Sequence, residues 1–192
     1  MKKILLIAAC FVTSIGAFAQ GVIDFRITPT GVNAPVFDVG GTTKLGSTFL
    51  AQLYWSATGA AGSYVAVSDA PVPFRDGAGA GYWNPTGNTP ASADSSRVVG
   101  VAAGANVFLE VAAWTASAGS TYAIASTVPG AHVGISLPIQ VTTGGAGSPP
   151  SLPAAMTGLQ SFTLGQVAAT PEPSTIALGL VGAAALLLRR RK

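Results

Sequence analysis

Apolar and polar positions alternate along two long segments of the chain, residues 48–55 and 106–116. Because successive side chains of a β-strand point to opposite faces, each segment predicts a strand with one face in a core. The predicted core faces consist of Phe49, Ala51, Leu53 and Trp55 in the first segment and Val107, Leu109, Val111 and Ala113 in the second. Shorter apolar segments predict further strands at residues 22–27, 63–67, 97–101, 137–142 and 159–164.

Clusters of Gly, Pro, Asn and Asp separate these segments, as expected for tight turns. They lie at residues 71–73, 76–77, 84–88 and 143–150. Residues 144–153 together predict a surface loop, and no segment between the predicted strands has the periodicity and caps of a helix. Short strands with frequent turns are typical of an antiparallel β-sandwich. We therefore predict an all-β fold for residues 20–168, an antiparallel β-sandwich of Ig-like or jelly-roll-like type.

The first residues of the chain have the order of charge and hydrophobicity that marks a secretory signal peptide. Two lysines precede an apolar run over residues 4–15, and Ala17 and Ala19 supply small side chains before a cleavage site at Gln20. We therefore predict a signal peptide at residues 1–19. The alternatives for this segment are a buried N-terminal helix and a lipoprotein signal.

Cys10 is the single cysteine of the chain and lies inside the predicted signal peptide. Residues 7–10 are similar to a lipoprotein cleavage site, but the apolar run before the cysteine is short for that purpose. If cleavage takes place before Gln20, the mature chain contains no cysteine. Disulfides and cysteine-based zinc sites are then excluded.

The other end of the chain carries an unbroken apolar run over residues 176–188, followed by Arg189, Arg190, Arg191 and Lys192. As a helix this run is roughly 20 Å long, against a hydrocarbon core of ~30 Å. The four cations predict a stop-transfer signal that stays in the cytoplasm, because charges cross a bilayer at high cost. The pattern therefore predicts a short C-terminal transmembrane helix, with the body of the protein outside.

A short motif precedes this run and consists of Pro171, Glu172, Pro173 and Ser174. Proline restricts its own backbone and that of the residue before it, so we expect the motif to be extended and exposed. The motif, the Gly/Ala/Leu-rich helix and the arginine cluster follow one another in residues 169–192 and resemble the PEP-CTERM sorting domain. A plain tail anchor with an accidental motif is the alternative.

The resemblance implies a substrate of an exosortase, a membrane-embedded cysteine protease and transpeptidase, reached through the Sec machinery. It implies transient anchoring in the inner membrane, cleavage near the motif, and delivery to the cell surface or extracellular matrix of bacteria that make exopolysaccharide. Five segments of the body also resemble uncharacterised exported PEP-CTERM proteins of the Verrucomicrobia type. They are residues 31–38, 49–54, 72–75, 77–83 and 144–150. This second resemblance implies a secreted domain and no particular activity.

Charge is scarce and is concentrated at the ends of the chain. Charged residues make up 9% of the sequence, against about 25% in typical soluble domains. Residues 20–170 contain four basic and six acidic residues, which gives a net charge of −2. Nucleic-acid binding needs clustered Lys and Arg and is therefore not expected.

Residues that could support catalysis are few and scattered. His132 is the single histidine, in a turn-like context that suggests a polar surface residue. The sequence has no phosphate-loop, nucleophile-elbow or dinucleotide-binding motif. Glu110 lies within a predicted strand, either facing outward or paired with one of the arginines Arg26, Arg75 and Arg97. We therefore predict no catalytic residue, no metal site and no cofactor.

The aromatic side chains add one hypothesis. Trp55 and Trp114 lie within predicted strands and are expected in the core. Tyr82 and Trp83 lie in a loop rich in Gly, Asn and Pro, where they either anchor the loop to the core or stack on a sugar ring. The sequence favours a non-enzymatic exported protein, structural or adhesive in a biofilm. The alternatives are a carbohydrate-binding module for exopolysaccharide and a hydrolase that uses scattered acids.

Overall fold

The computed structural model describes residues 20–27, 32–85, 95–145 and 149–169, together with residues 178, 179, 181 and 189. These residues are predominantly β-structure, as predicted. The strands are β1 (Gln20–Asp24), β2 (Phe49–Ser56), β3 (Val65–Ala66), β4 (Val72–Pro73), β5 (Ser96–Ala102), β6 (Asn106–Thr115), β7 (His132–Ile135), β8 (Ile139–Thr142), β9 (Gly144–Gly145), β10 (Ala154–Ala155) and β11 (Gly165–Gln166). Between the strands lie a short α-helix, α1 (Tyr122–Ala125), and two 3-10 helices (Gly77–Gly79 and Ala116–Ala118).

The larger sheet has seven strands, in the order β11-β7-β6-β2-β3, with β4 also paired to β2 and β8 also paired to β6. Its two central strands are the long alternating segments of the sequence. They pair antiparallel from Phe49 opposite Thr115 to Ser56 opposite Phe108. The predicted alternation is confirmed, because all eight predicted core-face residues of the two strands belong to the main core or pack against it.

The smaller sheet has four strands and is built around β1. Strand β5 pairs antiparallel with β1 on one side, whereas β9 pairs antiparallel and β10 parallel with it on the other. Gly144 lies opposite Val22 in this sheet. The prediction of a surface loop over residues 144–153 is therefore wrong at its start, since a pair of glycines carries no alternation that would indicate a strand.

Side chains from both sheets meet in one core, which gives the sandwich. Ile23 and Val99 come from the smaller sheet, Leu53 and Leu109 from the larger one, and all four are fully buried. Burial of this kind contributes about 1.5–3 kcal/mol for each large apolar side chain. The main stabilising force is therefore hydrophobic packing between the sheets, and the predicted β-sandwich is confirmed.

The outer face of the larger sheet carries a second, smaller apolar cluster beneath α1. Trp114 is fully buried there, and its indole donates a hydrogen bond to the carbonyl oxygen of Gly119 at 2.8 Å. Tyr122 of α1 meets the indole edge-on, with ring centroids 6.3 Å apart. Trp114 is therefore a core residue as predicted, on the face opposite the main core, whereas Trp55 is partly buried against the main core.

Three other local predictions differ from the structure. Residues 159–164 form only an isolated bridge at Thr163, opposite Phe37, and the strand begins later, at Gly165. Residues 132–135 form a strand that the apolar pattern did not indicate. The predicted turn at residues 71–73 contains β4, whose Pro73 lies opposite Leu50 in the ladder. Proline has no N–H to donate to a ladder, so within sheets it is confined to edge strands such as β4. A proline in the sequence therefore argues against a strand, and β4 was not predicted for this reason.

Several predicted features lie outside the described residues. They include the signal peptide with Ala17 and Ala19, residues 171–174, and residues 190–192. Gln20, the predicted first residue of the mature chain, is the first residue of β1. Cleavage before Gln20 would therefore leave β1 complete.

Candidate functional site

Trp83 is a core residue and presents no ring face to a sugar. Its side chain is 1% exposed, stacks on Phe25 with ring centroids 4.9 Å apart, and meets Phe74 edge-on at 6.0 Å. The indole donates to the carbonyl oxygen of Phe25 at 2.9 Å. The predicted sugar contact at Trp83 is therefore corrected, and the alternative, anchoring of the loop to the core, holds.

Tyr82 also anchors its loop, although it is only half-buried. Its hydroxyl donates to the side-chain oxygen of Asn33 at 2.6 Å, and the ammonium group of Lys44 lies 5.8 Å from its ring centroid. The two neighbouring aromatic residues consequently do not form a stacking platform, because one is buried and the other is engaged by Asn33 and Lys44.

His132 is paired, which its turn-like sequence context did not indicate. Its Nδ1 lies 2.6 Å from Oδ1 of Asp38, and its ring stacks on Phe49 at 6.3 Å. The pair connects residues 94 positions apart and so ties the segment before β2 to the start of β7. In the part of the chain that the structure describes, no group of three His, Cys, Asp or Glu side chains could hold a metal ion.

The other described aspartates have structural contacts. Asp24 accepts from Arg26 at 2.6 Å, and Asp69 lies 3.4 Å from the guanidinium of Arg97. Asp76 accepts from the backbone of Ser47 at 2.8 Å, and the hydrogen bonds from Ser47 lower the pKa of its carboxyl. These contacts fix loops and strand ends, in keeping with the turn-forming role of Asp.

Glu110 differs from these aspartates, because no described residue forms a hydrogen bond or an ion pair with its carboxylate. The predicted alternative of an arginine partner fails for Arg26 and Arg97, which pair with Asp24 and Asp69. Glu110 lies on the outer face of the larger sheet, directly opposite Tyr54 in the β2–β6 ladder. Partial burial there raises the pKa of the Glu110 carboxyl.

Three tyrosines surround this glutamate: Tyr54 on β2, Tyr64 just before β3, and Tyr122 on α1. Burial raises the pKa of all three phenols. The charge of Glu110 raises the pKa of Tyr64 and of Tyr122 further. The neighbouring Tyr122 raises the pKa of Tyr54 further. The Tyr64 hydroxyl is buried and has no hydrogen-bond partner. We call these four residues the tyrosine–glutamate patch. The sequence alone does not indicate the patch, because it leaves the register of the strands undetermined.

The predicted sorting segment is described only at isolated positions. Residues 178, 179, 181 and 189 are helical and exposed. Within the described part of the chain, no helix has the length and hydrophobicity needed to cross a membrane. The predicted transmembrane helix over residues 176–188 falls mostly outside the described residues and stays a prediction.

Comparison with known proteins decides what this segment is. Residues 169–192 match the model of the PEP-CTERM protein-sorting motif. This chain carries a PEP-CTERM sorting motif. The match covers the predicted motif Pro171, Glu172, Pro173 and Ser174 and the cluster Arg189, Arg190, Arg191 and Lys192. No curated protein and no solved structure matches the chain. The PEP-CTERM motif implies an exported protein that an exosortase processes.

Proposed function

We propose that this PEP-CTERM protein is a non-enzymatic component of the cell surface or extracellular matrix, structural or adhesive in a biofilm. The predicted signal peptide would bring it to the Sec machinery, and residues 176–188 would hold it briefly in the inner membrane. An exosortase would then cut near Pro171, Glu172 and Pro173. The observation that carries this proposal is the match of residues 169–192 to the sorting motif.

The last backbone hydrogen bonds of the sandwich lie just before the sorting motif, which supports cleavage near Pro171. Val167 accepts a backbone hydrogen bond from Gly130 at 2.9 Å and donates one to Ala131 at 2.8 Å. Pro171 follows only four residues later, a span of at most about 14 Å in an extended chain. A cut beyond Val167 would therefore leave the paired strands of the sandwich whole.

The contacts of the carboxylates support a role without catalysis. Four aspartates of the body engage partners that fix its loops and strand ends. Paired acids of a glycoside hydrolase would instead have to face one cleft with the substrate between them. A structural or adhesive role requires only a stable exported domain, which the sandwich supplies.

The proposal is tested by replacing Pro171, Glu172 and Pro173 together with alanine in the native host. We expect a larger form that keeps Arg191 and Lys192 and accumulates in the membrane fraction, as measured by mass spectrometry and cell fractionation. The matched control replaces the exposed prolines Pro149 and Pro150 with alanine. Normal size and surface delivery of the triple variant would refute the proposal.

A further inference from the structure

The last segment of the sandwich is paired along both of its edges. We call residues 162–167, which include β11, the exit segment, because the chain leaves the sandwich through them. On one edge, the backbone N–H of Leu164 donates to the carbonyl oxygen of Phe37 at 2.9 Å. On the other edge, Gln166 lies opposite His132 in the ladder between β11 and β7. The exit segment therefore separates the chain around Phe37 from β7.

A side-chain hydrogen bond crosses the exit segment from one of these neighbours to the other. Asp38 follows Phe37 on the first edge, and His132 begins β7 on the second. Oδ1 of Asp38 and Nδ1 of His132 lie 2.6 Å apart. Neighbouring strands are about 4.7–4.9 Å apart, so the pair bridges roughly 10 Å of sheet. It can form only while its two strands keep the spacing that the exit segment fills.

Both partners are fixed by contacts of their own. The ring of His132 stacks on Phe49 of β2 with centroids 6.3 Å apart, and its backbone N–H donates to the hydroxyl of Thr115 of β6 at 3.1 Å. Asp38 accepts a further hydrogen bond from the backbone N–H of Val39 at 2.8 Å. Because these contacts restrict both side chains, the pair forms with little additional loss of side-chain entropy.

We propose that the pair of Asp38 and His132 is a strap, which closes over the exit segment and confines local opening to the chain beyond Val167. Terminal segments open at little cost unless contacts fix them. The strap and the docked exit segment need the same spacing between the flanking strands, so each stabilises the other. A protease that acts on the sorting segment would therefore stop short of the sandwich. This inference goes beyond the proposed delivery to the surface and does not depend on which enzyme removes the segment.

The test compares two variants of the full chain in a mild nonionic detergent by native-state hydrogen exchange. His132→Phe keeps a ring beside Phe49 and removes the nitrogen that contacts Asp38. Tyr82→Phe is the matched control. It also keeps a ring and removes a side-chain hydrogen bond of 2.6 Å, here the one to Asn33.

We expect His132→Phe to speed the exchange of the Leu164 and Val167 amides at least about fivefold, the lower end of typical coupling between linked contacts. The amides at the centre of β6 should change less, and Tyr82→Phe should leave the exit segment unchanged. Equal acceleration in β6 would mean that His132 stabilises the sandwich as a whole, and no acceleration would mean that the pair restrains nothing. Either result would overturn the proposal, as would an equal effect of Tyr82→Phe.

Asp38→Asn tests the strap from its other end. It keeps the shape of the side chain and removes the charge, and charge-assisted hydrogen bonds are roughly twice as strong as neutral ones. Proteolysis of a transiently opened segment follows the population of the open state. We expect chymotrypsin to cut after Phe162 faster than in the wild type, and fastest in His132→Phe, as measured by mass spectrometry of the fragments. Circular dichroism verifies folding, and Asp38→Asn alone decides if His132→Phe does not fold. Equal cutting of the wild type and a folded variant would overturn the proposal.

Discussion

At the scale of single residues, the described carboxylates fall into two groups. The aspartates lie beside donors that hold them in place, and the pair formed by Asp38 and His132 joins distant parts of the chain. Glu110 has no such donor and lies among three aromatic rings on the outer face of the sheet. Its charge is therefore a net cost to folding, whereas the aspartate contacts stabilise the loops that they join.

The pH dependence of stability should show the cost of the Glu110 charge. Its pKa is raised in the folded state, so the folded protein holds this proton more tightly than the unfolded chain does. The stability contribution of Glu110 consequently falls as the pH rises from the unfolded to the folded pKa. We expect Glu110→Gln to stabilise the protein at neutral pH and to have little effect near pH 3, as measured by urea unfolding at both pH values. A variant less stable than the wild type at neutral pH would contradict this.

Replacing Trp83 should damage the fold and not merely a surface. Trp83→Ala removes a buried ring that packs on Phe25 and Phe74, and we expect a loss of about 3–5 kcal/mol in the free energy of unfolding. Trp83→Phe keeps a ring but leaves the carbonyl oxygen of Phe25 without its donor, which costs about 1–3 kcal/mol. Denaturant unfolding measures both changes.

Tyr82→Phe is the matched control for these variants. It removes only the hydroxyl that donates to Asn33 at the surface, so we expect a change of about 1 kcal/mol or less. If Trp83→Ala were as mild as Tyr82→Phe, Trp83 would not be a core residue, and its surface role would have to be considered again.

At the scale of elements, the alternation of apolar and polar residues predicted the long strands and missed a strand without side chains. Strands β2 and β6 and their buried faces follow from the sequence, because each is long enough for period two to be evident. Strand β9 consists of two glycines and has no side chains to alternate. The tyrosine–glutamate patch depends on the register of β2 against β6 and on the position of α1, which are set by packing between segments distant in sequence.

Strand β9 requires glycine for two separate reasons. A Cβ on Gly144 would collide with the carbonyl oxygen of Leu152, and Gly145 has φ of 125°, a value that other residues rarely adopt. We expect Gly144→Ala to displace β9 from β1 and to lower the free energy of unfolding by about 2 kcal/mol or more. Denaturant unfolding measures the loss, and hydrogen exchange of the amides of β1 locates it.

Gly165→Ala in β11 is the matched control for this variant. A Cβ there would have its nearest neighbour, the carbonyl oxygen of Val133, 4.0 Å away, and the backbone is not in the left-handed region. We expect a change within about 0.5 kcal/mol. Similar effects of the two substitutions would mean that the close approach at Gly144 does not limit the smaller sheet.

At the scale of the whole molecule, the chain separates a packed domain from a terminal sorting segment. The domain is held by one core shared between two sheets, and among the described residues Val167 is the last with a backbone hydrogen bond to the sandwich. The sorting motif begins almost immediately afterwards. This arrangement assigns stability to the sandwich and delivery to the segment that follows it.

The stability of the domain should therefore not change when the sorting segment is removed. The test compares the processed protein from the native host with the precursor from a host that lacks exosortase, both in the same detergent. All three tryptophans of the chain, Trp55, Trp83 and Trp114, lie in the sandwich, so fluorescence reports the same unfolding event in both forms. We expect free energies of unfolding that agree within about 0.5 kcal/mol. A precursor more stable by several times that amount would mean that residues beyond Val167 pack on the sandwich, and the sorting segment would then be part of the fold it delivers.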